Sequence, residues 1–168
     1  MARAGIALGT NLGDRLAHLR TARDRLVSGS PDPASLLQAP VYQTAPVACP
    51  DGSPDFYNTV IELEIDLSPL ELLRETQVIE CQLGRPAGAP RNAPRVIDVD
   101  LLYLGMERLD SELLTLPHPR LGRRRFVLQP LAEIRPLLVL PGHPGTIAAR
   151  LRELDSSEPP LTLVTAGW

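Results

Sequence analysis

Apolar positions along this chain alternate between a period of two and a period near 3.6, and the switches between the two outline its elements. AGIALG, residues 4–9, is a short apolar run ending at a glycine, the pattern of a buried strand. In GDRLAHLRTARDRLVSG, Leu16, Leu19, Ala22 and Leu26 recur at helical spacing. Asp14 or Asn11 is placed to cap the start of that helix, and Gly29 followed by Pro31 stops it. Residues 35–43 predict a second strand, with the chain broken at Pro46. FYNTVIELEID, 56–66, alternates with Tyr57, Thr59, Ile61, Leu63 and Ile65 on one side and predicts a third strand. Ser68 followed by Glu71 is a capping box, and Leu70, Leu73, Gln77 and Glu80 carry helical spacing over 69–83 to Gly84.

A loop rich in Pro, Gly and Arg then leads into RVIDVDLLYLG, 95–105, a strand that carries two acids. Alternation places Ile97, Val99, Leu101 and Tyr103 on one face and Val96, Asp98, Asp100 and Leu102 on the other. Beyond it the pattern predicts a short strand near 112–116, an Arg-rich loop, a helix near 125–134, a last short helix in GTIAARLREL and an edge strand in LTLVTAG. The order strand, helix, strand, strand, helix, strand is that of an α+β fold, a ferredoxin-like split βαβ sandwich, with a mostly antiparallel sheet and helices on both sides. That fold hosts many activities and decides none of them.

Composition narrows the class. A chain of 168 residues fits a single domain, 1–168, with one substantial core. A hydrophobic share of 43% and a net charge of -3 give no bulk electrostatic reason to bind nucleic acid or an anionic membrane. All 17 basic residues are Arg, a bias that GC-rich coding explains and that is given no functional weight. Cys49 and Cys81 are far apart and fit neither a disulfide framework nor a zinc site. The first residues contain no signal-like apolar run, and no segment approaches a membrane span of about 20 apolar residues. A soluble, cytoplasmic protein is expected.

Asp98 and Asp100 lie about 7 Å apart along one strand face, where like charges repel and call for a compensating cation. An isolated pair of this kind is ordinarily two solvated acids on an edge strand. Here Arg85, Arg91 and Arg95 precede it, and Arg120, Arg123, Arg124 and Arg125 come from a second loop. Carboxylates suit Mg²⁺, which completes its shell with waters and substrate phosphates, and arginines neutralise the phosphate oxygens left uncovered. Metal-assisted phosphoryl transfer is the chemistry this combination suits. GTNLGDR lacks the Lys of a phosphate loop and reads as a capped strand-to-helix turn. RLGRRR is a solvated surface or a nucleic-acid patch, the latter disfavoured by the lack of interleaved aromatics. Singly, His118 reads as a turn residue, Phe56 and Phe126 as core aromatics and Asn58 as a strand-face polar group.

Taken jointly, GTNLGDR, YQTAPV, DFYNTVIELE, RPAGAPRNAPRVIDVDLLYLG and LPHPRLGRRRFVLQPLAEI resemble, in this order and spacing, the 6-hydroxymethyl-7,8-dihydropterin pyrophosphokinase family of the folate pathway. The resemblance runs from residue 5 to about 142. It implies transfer of the pyrophosphoryl group of ATP to the pterin's 6-hydroxymethyl oxygen with release of AMP. It further implies two Mg²⁺ ions held by Asp98 and Asp100, with Arg85 and Arg95 on the β- and γ-phosphates. Arg91, Gln77, Glu80, Leu101, Thr115, His118 and Arg124 match nucleotide-binding positions, with Leu101 where adenine packs. For the pterin, Thr44, Ala45, Pro46 and Val47 match a loop that reads the ring's polar edge, Asn58 a side chain that hydrogen-bonds it, and Phe56 and Phe126 aromatics beside it.

Three departures stand out: Asn92 and Ala93 precede Pro94 and Arg95 where many members carry a bulky residue, often Trp, Phe56 replaces a Tyr of some members, and Pro119 follows His118 where some have Tyr. The partners expected are the two small-molecule substrates, with no nucleic acid, no membrane, and a monofunctional monomer as the working form. A nucleotide-binding module without turnover and an RNA-binding domain are the alternatives from other classes.

Overall fold

The computed structural model describes residues 1–46, 51–84, 96–155, 157 and 160–168. The chain runs β1 (Ala2–Thr10), α1 (Arg15–Ser28), β2 (Leu37–Gln38), β3 (Val41–Thr44), β4 (Phe56–Ile65), α2 (Pro69–Gln82), β5 (Asp98–Leu104), β6 (Leu109–Asp110), β7 (Thr115–Leu116), α3 (Arg125–Ile134), α4 (Ile147–Glu153) and β8 (Thr162–Thr165). The main sheet has the order β5-β1-β4-β3-β8, with β2 also on β4, and these pairings are antiparallel. This is the ferredoxin-like α+β arrangement that the element order predicts. α1 and α2 bury Leu19, Ala22, Leu26, Leu72 and Ile79 against Ile6, Leu8, Ile61, Leu63 and Val99 on one face. On the opposite face Val127, Leu128, Leu131 and Ile147 from α3 and α4 pack on Val60, Leu102 and Tyr103. Helices therefore do cover both sides.

Local chemistry accounts for most boundaries. Asp14 caps α1 by accepting the Ala17 N–H at 3.1 Å, and Ser68 and Glu71 close a reciprocal capping box at the start of α2. The single strand expected over 35–43 is instead a 3₁₀ turn, Pro33–Ser35, followed by β2 and β3. Pro40 separates them because it has no N–H to offer β4. The strand expected at 112–116 is shortened to β7, since the Ser111 hydroxyl accepts the Leu114 N–H and turns the chain back from β6. In α2 the buried stripe is Leu72, Thr76 and Ile79, and Leu73, Gln77 and Glu80 flank it.

The aspartate strand departs from simple alternation. Gly5 of β1 opposes Tyr103, but the next residue, Ile6, opposes Leu101, so Leu102 is an extra residue in β5. Through this bulge Leu102 and Tyr103 both enter the α3 side, while Leu101 and Leu104 both enter the α1 and α2 side. Tyr103 therefore shares a face with Asp98 and Asp100, a correction to the grouping read from the sequence. Its ring lies over Gly5, where a Cβ would come within 2.2 Å of it. Its hydroxyl donates to Glu62 Oε2 at 2.5 Å, and the same carboxylate, 0% exposed, pairs with Arg3 and with Arg135 at 3.1 Å. Burial first, and then the Glu62 charge, hold the Tyr103 phenol well above its ordinary range.

Candidate active site

Register decides which side chains meet. Asp98 opposes Gly9 and Asp100 opposes Ala7 across β1, while Gly9 and Ala7 oppose Asn58 and Val60 across β4. Beyond Arg3, which pairs with Glu62, β1 contributes only Gly5, Ala7 and Gly9 to this face, and the sheet has a low central strip between β5 and β4. α3 and α4 cover one end of the face. The other end opens as a cleft of about 480 Å³.

Asp98 and Asp100 line the cleft from β5, and Gln77 and Glu80 line it from α2. Glu80 Oε1 accepts the Val99 N–H at 2.8 Å, fixing the outer edge of β5 between the two acids. From the turn after β7 come His118, Arg120 and Arg124. His118 Nδ1 accepts the Arg120 N–H at 3.1 Å, which puts the ring's proton on Nε2. Burial, and then the nearby charges of Arg124 and Arg120, push the His118 imidazole down to about 4. It is neutral at physiological pH.

Thr44, Ala45, Phe56, Asn58 and Phe126 line the far half of the same cleft. Asn58 Nδ2 donates to Thr44 Oγ1 at 2.7 Å, and a Cβ on Gly9 would lie 2.8 Å from Asn58 Oδ1, so only glycine leaves that amide its place. The Arg124 guanidinium stands 5.4 Å from the Phe126 ring centre, joining the cationic and aromatic parts. One half of the cleft is charged and suits phosphates, and the other has aromatic faces with an amide and a hydroxyl and suits a flat polar heterocycle.

Three sequence-predicted residues do not line this cleft. Leu101 is 3% exposed and its side chain lies in the core on the α1 and α2 face. What Leu101 can offer a ligand is its main chain, which alternation places on the same outer edge of β5 as that of Val99. Thr115 sits in the β6–β7 hairpin with its hydroxyl 3.4 Å from Asp110 Oδ1, and Pro46 also lies off the lining. Val47, Arg85, Arg91 and Arg95, like Asn92 and Ala93, are outside the described residues. Sequence reasoning did not assign Leu73 or Thr76 to the site and named Arg120 only among the arginines of the second loop, yet all three line it. The spacing of Leu73, Thr76, Gln77 and Glu80 on one helix face was the available signal. Among the described residues no group of three or more His, Cys, Asp or Glu could hold a metal ion, and the cleft's carboxylates are Asp98, Asp100 and Glu80.

The family model described as 7,8-dihydro-6-hydroxymethylpterin-pyrophosphokinase matches residues 5–136. The 2-amino-4-hydroxy-6-hydroxymethyldihydropteridine pyrophosphokinase of Bacillus subtilis is 42% identical over 131 residues, covering 78% of this chain and 77% of its own. That of Methylorubrum extorquens is 38% identical over 158 residues, covering 94% and 96%. Among solved structures, one described as HPPK-DHPS in complex with substrates superposes with a TM-score of 0.71 at 12% identity, over 90% of this chain. The chain spans only 43% of that larger protein, and at such identity the likeness bears on the fold alone. With a family model running through most of its length and relatives this similar over 77% and 96% of their own chains, this protein belongs to the 7,8-dihydro-6-hydroxymethylpterin-pyrophosphokinase family.

Proposed function

We propose that the cleft transfers the pyrophosphoryl group of ATP to the hydroxymethyl group of 6-hydroxymethyl-7,8-dihydropterin, giving AMP and the pterin diphosphate in folate biosynthesis. Family membership supplies the enzyme class, an ATP-dependent diphosphotransferase. The observation that carries the rest is that Asp98 and Asp100 line the same space as Phe56, Asn58 and Phe126, so triphosphate and ring can meet there. The hydroxymethyl oxygen forms a bond to the β-phosphorus, the bond from that phosphorus to the oxygen bridging to the α-phosphate breaks, and AMP leaves.

Asp98 and Asp100 would hold Mg²⁺ jointly with the triphosphate. Two carboxylates on one strand face offer a hard oxygen donor set of the Mg²⁺ type, in which substrate phosphates and waters complete the octahedron. Metal bound there would neutralise charge on the phosphate oxygens. Arg124, in the turn after β7, adds positive charge to the same cleft, and Arg85 and Arg95, outside the described residues, are assigned by resemblance to the β- and γ-phosphates. Gln77, Glu80, Arg91, Thr115, neutral His118 and the Leu101 main chain are assigned to the nucleotide. Phe56 and Phe126 flank the pterin, Asn58 and the Thr44–Val47 segment read its polar edge, and the site excludes water as the two substrates fill it.

No helix among the described residues is long and apolar enough to cross a membrane. A cytoplasmic location and a monomeric working form are part of the proposal, the second checked by size-exclusion chromatography with light scattering. The deciding experiment is chromatography of the nucleotide products from purified protein with ATP, Mg²⁺ and the hydroxymethyl dihydropterin. AMP should appear only in the complete mixture. ADP, or no nucleotide product, would refute the assignment.

A further inference from the structure

Beyond Gly9, GTNLGDR has no place in the chemistry above, yet two of its side chains reach across to the segment that enters β4. Asn11 Nδ2 donates to Pro54 O at 3.2 Å, and Arg15 NH1 donates to Asp55 O at 2.8 Å. The Arg15 guanidinium also lies 3.9 Å from the centre of the Tyr57 ring. Arg15 therefore grips the residues on both sides of Phe56. It does so from outside the cleft: in β4, Tyr57 points to the α1 and α2 face, and alternation sends Phe56 and Asn58 to the other. Gln43 adds a hold on the Asp55 side chain, donating from Nε2 to Oδ2 at 2.7 Å.

We infer that Arg15 is a positioning residue for the pterin half of the cleft, fixing the direction of Phe56 through Asp55 and Tyr57 without touching substrate. The inference rests on the reading that a pterin binds beside Phe56. Its physical basis is that an aromatic wall orients a flat ring only if its own backbone is fixed, and Phe56 is the first residue of β4, preceded by the loop 51–55. A cationic donor on a carbonyl with its flat face on an aromatic ring constrains two adjacent residues at once.

The test compares Arg15→Ala, Arg15→Lys and Asp14→Ala with the parent chain. Asp14→Ala removes the α1 cap and loosens the same turn without touching β4, so it controls for a merely structural effect. Dihydropterin binding is measured by calorimetry with and without a non-hydrolysable ATP analogue, and KM for each substrate by AMP release. Arg15→Ala should raise the pterin Kd and KM about tenfold, the size expected for loss of a charge-assisted hydrogen bond, with the KM for ATP unchanged. Arg15→Lys should recover part of that loss, and Asp14→Ala should leave pterin affinity at the parent value. An unchanged pterin Kd in Arg15→Ala, or a parallel rise for both substrates matched by Asp14→Ala, would overturn the inference. A parent chain that binds pterin without forming AMP would defeat the proposed reaction while leaving the Kd comparison intact, and one that binds no pterin would defeat both.

Discussion

The carboxylate of Glu80 accepts the main-chain N–H of Val99 at 2.8 Å, so α2 holds β5 at the residue between the two aspartates. Glu80 thereby sets the position of both acids as well as lining the charged half of the cleft. Glu80→Ala should lower kcat/KM for ATP by about tenfold, whereas Glu80→Gln, whose amide oxygen can still accept, should stay within about threefold. Steady-state kinetics of the two variants at saturating pterin make the comparison.

Asp98→Ala and Asp100→Ala should each cut AMP formation by at least about 100-fold, the scale for removing a group that stabilises developing charge. Both side chains are only partly buried, so thermal unfolding should move little. Full turnover in either variant would exclude that carboxylate as a metal ligand.

Two glycines of β1 should separate function from stability. Gly9→Ala places a Cβ 2.8 Å from Asn58 Oδ1, and as the amide moves it gives up its bond to Thr44. Pterin affinity should fall about tenfold, with Tm nearly unchanged. Gly5→Ala meets the buried Tyr103 ring at 2.2 Å and should cost about 1–3 kcal/mol or more in urea unfolding.

The buried carboxylate of Glu62 serves Tyr103, Arg3 and Arg135 together. Glu62→Ala leaves two guanidinium groups and a phenol without it and should destabilise the fold by about 3–5 kcal/mol. A loss below about 1 kcal/mol in chemical denaturation would show that the cluster adds little to stability.

His118 sets a pH dependence with a definite sign. Its folded imidazole is pushed down to about 4 from 6.5 by burial and by Arg124 and Arg120, so between these values the unfolded chain binds more protons. Stability should therefore rise with pH across that window and level off above it. His118→Gln should flatten part of the slope in urea unfolding. The remainder belongs partly to His143, which burial and Arg150 also push down.

Much of this was legible in the sequence because it depends on neighbours along the chain. The Ser68 and Glu71 box, the alternation of β4 and the pairing of Asp98 with Asp100 on one face are local properties, and the structure has them. What periodicity could not reveal depends on partners far away in sequence. Tyr103 changes sides because of a register shift against β1. Glu62 occupies the polar alternation of β4 yet is fully buried, since Arg3, Tyr103 and Arg135 converge on it. Leu101 looks available beside the acids, but its side chain belongs to the core behind them. Arg120 was one arginine among several until the turn at His118 brought it to the cleft.

The extra residue at Leu102 makes β5 two strand segments of opposite phase joined in the middle. Upstream, the phase directs the acids to the cleft; downstream, it directs Tyr103 to Glu62. Regular alternation through the whole of β5, with Leu102 kept in step, would turn Tyr103 to the face opposite the acids, and the strand could then satisfy one commitment but not both. Substitutions within β5 act on single contacts. A change of phase acts on every contact beyond it, and so the position of the extra residue is as much a part of the site as the aspartates themselves.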